Sequence, residues 1–275
     1  MNRLFDRSRI QVKPLSERIN KLDIQSISID PYSYSGPISL EAERDAACAA
    51  QEALQARERG ASVILAFGAH SIKNGLSRLL IELLKKGYVT HFATNGAGII
   101  HDWEFAFQGH SGEDVKRYVS EGQFGIWEET GAFLNLALAV GAYRGLGYAE
   151  SVGSLIAEQG LDIPSEKELT ETIRFGSLEQ ADEAVLQRAA AAADLRALFL
   201  QFPVKQGFLN VAHPYSQFSL SAASWKAHVP FTCHPMLGHD IIYTHPMNRG
   251  APIGRTAELD FLSFVDSVSN LERGV

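Results

Sequence analysis

The sequence predicts an α/β fold in which a parallel sheet is flanked by helices on both faces. Two short, continuous apolar runs, at residues 62–67 and 88–93, have the pattern of strands buried on both sides. Between them, residues 76–86 place Leu76, Leu79, Leu80, Leu83 and Leu84 on one side of a helix. Residues 62–107 therefore run strand, loop, helix, strand, loop, helix, with connections long enough for a parallel crossover.

The flanking elements follow from local chemistry. Residues 1–22 are polar and without period, as in an arm that docks on something else. Residues 23–29 alternate as a short strand, and residues 31–37 carry the Pro, Ser and Gly of a loop. Residues 39–59 are helix formers, with Ser39 as the N-cap, Glu41 and Glu43 in the first turn, and Leu40, Ala47, Ala50 and Leu54 near one face. Cys48, among alanines, is expected to be packed. Lys85 and Lys86 suit the end of the 76–86 helix, and Gly87 stops it. A helix is expected over about 99–107, after the loop 94–98.

Farther on, residues 108–130 are glycine-rich and charged, which predicts a structured excursion over the active face. Helical periods occupy 130–143, 148–159, 165–173 and 178–199, so 130–200 forms a helical segment of a single domain spanning 1–275. Residues 229–232 and 241–243 are read as strands around the turn Gly238-His239-Asp240, and 259–271 as a closing helix. That makes about five strands in all.

Composition removes some functions. Lys and Arg number 25 against 32 Asp and Glu, a formal charge of −7, which disfavours a nucleic-acid partner. No apolar run reaches the roughly 18 residues of a membrane span, and the start lacks the apolar stretch of a signal peptide. Two cysteines, Cys48 and Cys233, make no disulfide framework, so a reducing, cytoplasmic setting is expected.

Candidate chemistry gathers in a few loops. Asn95-Gly96-Ala97-Gly98 follows a buried strand and opens a helix, where small residues and free N–H groups admit a phosphate or ribose. Ala69, His70 and Ser71 end the preceding strand and face the same crevice. The third glycine and the distal acid of the dinucleotide fingerprint are missing. His101 and Asp102, on the following helical turn, are placed to touch a substrate amine or a ribose; Asp102 equally suits a helix dipole. His234, His239 and His245 offer an alternative, a metal-dependent hydrolase, although their spacing fits no helical ligand motif. Lys226, after Ser224 and Trp225, is either an active-site amine or a solvated lysine.

Together these segments resemble the deoxyhypusine synthase family. The stretches 64–71, 75–77, 86–90 and 94–102 follow the order of that family's first nucleotide-binding half, and 237–245 is similar to its Leu-Gly-Asp turn and following histidine. The resemblance implies a Rossmann-like fold and NAD as cofactor, beside Ala69, His70 and Ser71 and wrapped by Asn95, Gly96, Ala97 and Gly98, with Asp102 nearby. It implies a small-molecule amine as substrate, with His101 and Asp240 as its polar contacts, and a homo-oligomer, dimer or tetramer. Members of the family oxidise spermidine and move its aminobutyl group to a protein lysine. Ile100 and His101 stand here where the family has two glutamates, which points to a monoamine or amino acid instead. Ser224-Trp225-Lys226 is similar to the family's Ser-Trp-Gly-Lys motif but lies upstream of the Leu-Gly-Asp turn. The chain also stops where the family's last glycine-rich strand begins, so a shortened or inactive relative is the other expectation.

Overall fold

The computed structural model describes residues 4–33 and 36–275; Tyr34 and Ser35, within the expected loop 31–37, lie outside the described residues. The amino-terminal arm docks on the chain's own body. It forms two 3-10 turns, Arg7–Arg9 and Leu15–Glu17, and Leu15 is buried in the core. Strand β1 (Asn20–Asp23) follows, then the one-turn helix α1 (Ile24–Ile27). The expected strand over 23–29 thus ends where it was to begin. Asp23 accepts from the Gln25 amide and caps α1, a turn-forming habit that outweighs the apolar alternation.

Helix α2 (Leu40–Glu58) has the predicted N-cap, with Ser39 accepting from the Ala42 amide. Its expected buried face is absent: Ala56 alone is buried, and Leu40, Leu54 and Cys48 are exposed. Alanines supply helix propensity without needing a partner surface, so the helix forms without burying its face.

The central sheet joins β2 (Ile64–Ala66) and its crossover helices α3 (Ala69–Lys73) and α4 (Ser77–Lys85) to β3 (His91–Thr94). The loop expected over 68–75 contains α3. After β3 comes α5 (Gly96–Gln108), which is buried almost throughout, with Trp103 and Phe105 sealed in the core. A hairpin-like excursion follows, β4 (His110–Glu113) paired antiparallel to β1, then α6 (Val115–Ser120).

The helical segment comprises α7 (Glu128–Arg144), α8 (Tyr148–Ala157), α9 (Glu166–Gly176) and α10 (Glu183–Gln201). Twelve residues of α7 are buried, which explains why it is apolar all round rather than along one stripe. Ala189, Ala191 and Ala192 of α10 are packed, the small side chains letting α9 and α10 approach. Two short strands that no apolar run marks, β5 (Gly160–Ile163) and β6 (Gly207–Asn210), form an antiparallel pair beside this segment.

Helix α11 (Leu220–Ala227) leads into β7 (Phe231–Cys233), and α12 (Gly250–Ser269) closes the fold. The main sheet is therefore parallel, in the order β2-β3-β7, with Phe92 facing Phe231 and Ala93 facing both Ala66 and Thr232. Helices α8, α11 and α12 pack against β7. The strand expected over 241–243 is instead a 3-10 turn, Ile241–Thr244, which among the described residues joins no sheet. Helix α12 starts nine residues earlier than its period suggests, because Pro252 fits a first helical turn. No described helix is long and apolar enough to cross a membrane.

Candidate functional site

The carboxyl ends of β2 and β3 open onto a crevice of about 530 Å³, floored by Gly68, Thr94 and Asn95 and walled by His234, Phe261 and Phe264. This is where parallel sheets receive ligands. Asn95 is exposed and caps α5, its side chain accepting from the Gly98 amide at 3.0 Å. Above Gly68 there is open space, since an added Cβ would meet nothing within 4 Å.

A second cavity, of about 250 Å³, lies beside it and is lined by Arg18, Ala97, His101, Glu104, Glu113 and Asp240 among others. Asp240 reaches it from the segment before the last 3-10 turn. Its carboxylate lies against Gly96, where a Cβ would come within 2.2 Å of Oδ2. Among the described residues, Oδ2 is buried and no well-formed hydrogen bond reaches it, although the Tyr243 hydroxyl, likewise without a well-formed bond, lies close enough to favour the ionised carboxyl. Burial raises the Asp240 pKa, partly offset by His239 and Tyr243.

His101 is set by a hydrogen-bonded relay. Its Nδ1 lies 2.7 Å from Ser111 Oγ, and that hydroxyl donates to Glu104 Oε2 at 2.6 Å. Glu104 is doubly bonded by Arg18, at 2.7 Å from each oxygen, and also accepts from Thr130. Burial alone would lift the Glu104 carboxyl; the Arg18 charge and hydrogen bonds, with Ser111, bring it below its ordinary value. An ionised Glu104 can only accept, so Ser111 must give it a proton and take one from His101 Nδ1. The imidazole is thereby held with its proton on Nδ1 and a lone pair on Nε2. Burial lowers its pKa, against the pull of Glu104, so the ring is neutral near pH 7.

The predicted residues divide into three groups. Ala69, His70 and Ser71 begin α3, directly after Gly68, which lines the open crevice together with Asn95; the three themselves are not among its lining residues. Ala97, His101 and Asp240 share the smaller cavity. Gly96, Gly98, Asp102 and Lys226 are positioned otherwise than expected. Gly96 and Gly98 are buried, the first under Asp240 and the second against Thr94, so the start of α5 is already filled by side chains. Asp102 is sealed, accepting from Ser219 Oγ at 2.6 Å and from the amides of Leu220 and Ser221. It caps α11 instead of touching a ligand. Lys226 is exposed in the last turn of α11, before β7. It therefore lies at the amino edge of the sheet, opposite the carboxyl edge where both cavities open.

The histidines do not converge. Among the described residues no group of three or more His, Cys, Asp or Glu is placed to hold a metal. His234 lines the open crevice, His239 the smaller cavity, and His245 is buried beside Glu128. These separate positions leave the hydrolase reading without a ligand set. Residues missed in the sequence include Arg18, Glu104, Ser111 and Glu113. The last accepts from the Trp127 indole at 2.9 Å and from the Gly125 amide. Only a Glu three residues after His101, on the same helical face, hinted at them.

No protein-family model matches this chain, and no curated protein matches it.

Proposed function

We propose that this chain is a deoxyhypusine-synthase-like transferase or oxidoreductase, NAD-dependent, acting on a small monoamine. The observation that carries the reading is the buried Asp240 oxygen, which no well-formed hydrogen bond reaches among the described residues, at the edge of a cavity it shares with neutral His101. A buried, unpaired carboxylate is costly, and a protonated amine relieves that cost by supplying both charge and donors. The other two cavity acids are already engaged, Glu104 by Arg18 and Glu113 by Trp127 and Gly125. One open carboxylate suits one ammonium group, which favours a monoamine over a polyamine.

The open crevice fits the rings and ribose of a dinucleotide, with small residues below and Phe261 and Phe264 to the side. Its phosphates do not fit on Gly96, which Asp240 covers. They would be held instead by the turn at Gly68 and the first residues of α3, Ala69, His70 and Ser71, and the ribose would be held by Asn95. When bound, NAD supplies a hydride acceptor. Asp240 holds the substrate nitrogen, and His101 takes at Nε2 the proton that an ammonium must release before its carbon is oxidised. The relay through Ser111 and Glu104 steadies the ring as it becomes charged. The parallel sheet is read as Rossmann-like, and the assembly as a cytoplasmic homo-oligomer, dimer or tetramer. Exposed Phe261, Leu262 and Val265 on α12 support the assembly.

Calorimetric titration of the full chain with n-butylamine, and separately with NAD, tests this. The amine should bind, and Asp240→Asn should weaken it by about ten-fold or more while leaving NAD binding intact. Equal amine affinity in Asp240→Asn would sink the amine site, and no heat with NAD at high micromolar concentration would sink the cofactor.

A further inference from the structure

A separate cavity of about 370 Å³ lies between the amino-terminal arm and the start of α12, lined by Phe5, Arg7, Phe202 and Arg249 among others. It shares none of its lining residues with the Asp240 cavity. Two guanidinium groups converge in it. Arg7 Nη1 donates to the Asn248 carbonyl at 2.7 Å and to the Asn248 side chain at 2.9 Å. Arg249 Nη1 donates to the same Asn248 carbonyl at 2.7 Å and to Pro246 O at 2.8 Å.

Like charges drawn to one oxygen repel each other and call for an anion between them. Among the described residues, neither arginine is paired with a carboxylate. Asp6 also lines the cavity; its Oδ1 accepts from the Ser8 amide and hydroxyl, and among the described residues its carboxylate makes no ion pair with either arginine. Burial and the charge of Arg7 both lower the Arg249 pKa, in that order.

The donors left over have a definite shape. Among the described residues Arg7 makes its hydrogen bonds through Nη1 only, which leaves its Nε–Nη2 edge, two parallel N–H groups, without a partner there. Arg249 uses Nη1 and Nη2, the latter on Gln201, and stacks 5.7 Å from the Phe202 ring centre, leaving Nε. A parallel pair of donors matches two oxygens of a phosphate or carboxylate. Two arginines without carboxylate partners discriminate between them: a phosphoryl group near pH 7 carries about 1.5 to 2 negative charges and at least three acceptor oxygens, enough to bridge both groups. A carboxylate would leave one of them uncompensated.

We propose that Arg7 and Arg249 form a phosphate site, taking either free phosphate or the phosphoryl group of a monoester, which would clip the arm to the start of α12. Phe5 and Phe202 flank the site and favour an ester with an apolar body.

Titration of the full chain with inorganic phosphate, phenyl phosphate and acetate decides it. Both phosphates should bind at one site, and acetate at least ten-fold more weakly. Tighter binding of phenyl phosphate assigns the site to an ester, and equal binding to free phosphate. Arg7→Gln and Arg249→Gln should each weaken phosphate at least ten-fold. Arg7 lies on the arm and has few contacts, so its variant keeps the test clear should Arg249→Gln fold poorly. Absence of phosphate binding, equal affinity for acetate, or affinity unchanged in Arg7→Gln would overturn the proposal.

Discussion

A methyl group built on Gly96 would lie 2.2 Å from Oδ2 of Asp240, so the first turn of α5 and the segment before the last 3-10 turn are shaped to each other. That fit gives the first prediction. Gly96→Ala should push the carboxylate out of its seat or shift the end of β3, at a cost of about 1–3 kcal/mol. Urea unfolding measures the cost, and amine titration should show lost affinity. A variant as stable as the parent, with unchanged affinity, would mean that Asp240 is free to move.

Arg18 and Glu104 are both almost fully buried and pair at 2.7 Å. Glu104→Gln leaves the guanidinium in the interior without its counter-charge, and about 3–5 kcal/mol of stability should be lost. Arg18→Met combined with Glu104→Met should recover part of that loss. The recovery is incomplete, because Ser111 and Thr130 also lose their acceptor. A double-mutant cycle in urea reads the coupling directly.

Among the described residues both His213 ring nitrogens are buried without a well-formed hydrogen bond, the Val211 backbone lying near, and the ring is edge-on to Trp103 and Phe107. Burial lowers its pKa from 6.5 to about 4. As pH falls from 6.5 towards 4 the unfolded chain takes up a proton that the folded one refuses. Stability is therefore lost in that window, by up to about 1.4 kcal/mol per unit. His213→Phe should flatten this slope and raise stability at pH 5. His91, buried between Ser267 and Thr232 with its pKa also near 4, leaves a residual slope of the same sign. A pH series of thermal melts that showed no difference between parent and variant would contradict the argument.

Asp260 acts with the opposite sign. Its Oδ2 accepts from the Cys233 amide at 2.6 Å and the Ala149 amide at 3.1 Å, tying α12 to β7 and to the start of α8. Burial nevertheless raises its pKa from 3.8 to about 8. The folded chain keeps a proton that the unfolded chain releases between about pH 4 and 8, so this group's contribution falls as pH rises through that range. Asp260→Asn, which mimics the protonated form, should stay folded and lose this fall. Its stability relative to the parent should grow between pH 5 and 8 in the same melts.

Much of the central fold is legible in the residues. The runs before Gly68 and Asn95 mark β2 and β3, and Ser39 caps α2 as its type suggests; Asn95 caps α5, which starts three residues earlier than expected, within the expected loop. What fails has local causes. Asp23 turns an alternating stretch into a cap, and residues 241–244 form a 3-10 turn that joins no sheet among the described residues. The apolar positions of α2 face nothing. The site was half visible: Asn95, His101 and Asp240 are placed at or beside the cavities, yet the partner of Glu104 is Arg18, 86 positions away, which no local pattern can show. Lys226 and Asp102 misled because a sequence does not say which end of a strand a helix feeds, or which way an acid on a buried helix points.

The smaller cavity borrows its walls from stretches far apart in the chain, among them Arg18 from the arm, His101 and Glu104 from α5, Glu113 from β4, and Asp240 from near the last helix. Stretches so far apart meet only after the loss of chain freedom between them has been overcome, late in assembly. The proposed amine recognition would thus be a property of the finished chain alone. A partly folded intermediate that already holds β2, β3 and α5 would carry the imidazole but have nothing opposite it, and so would remain blind to an amine.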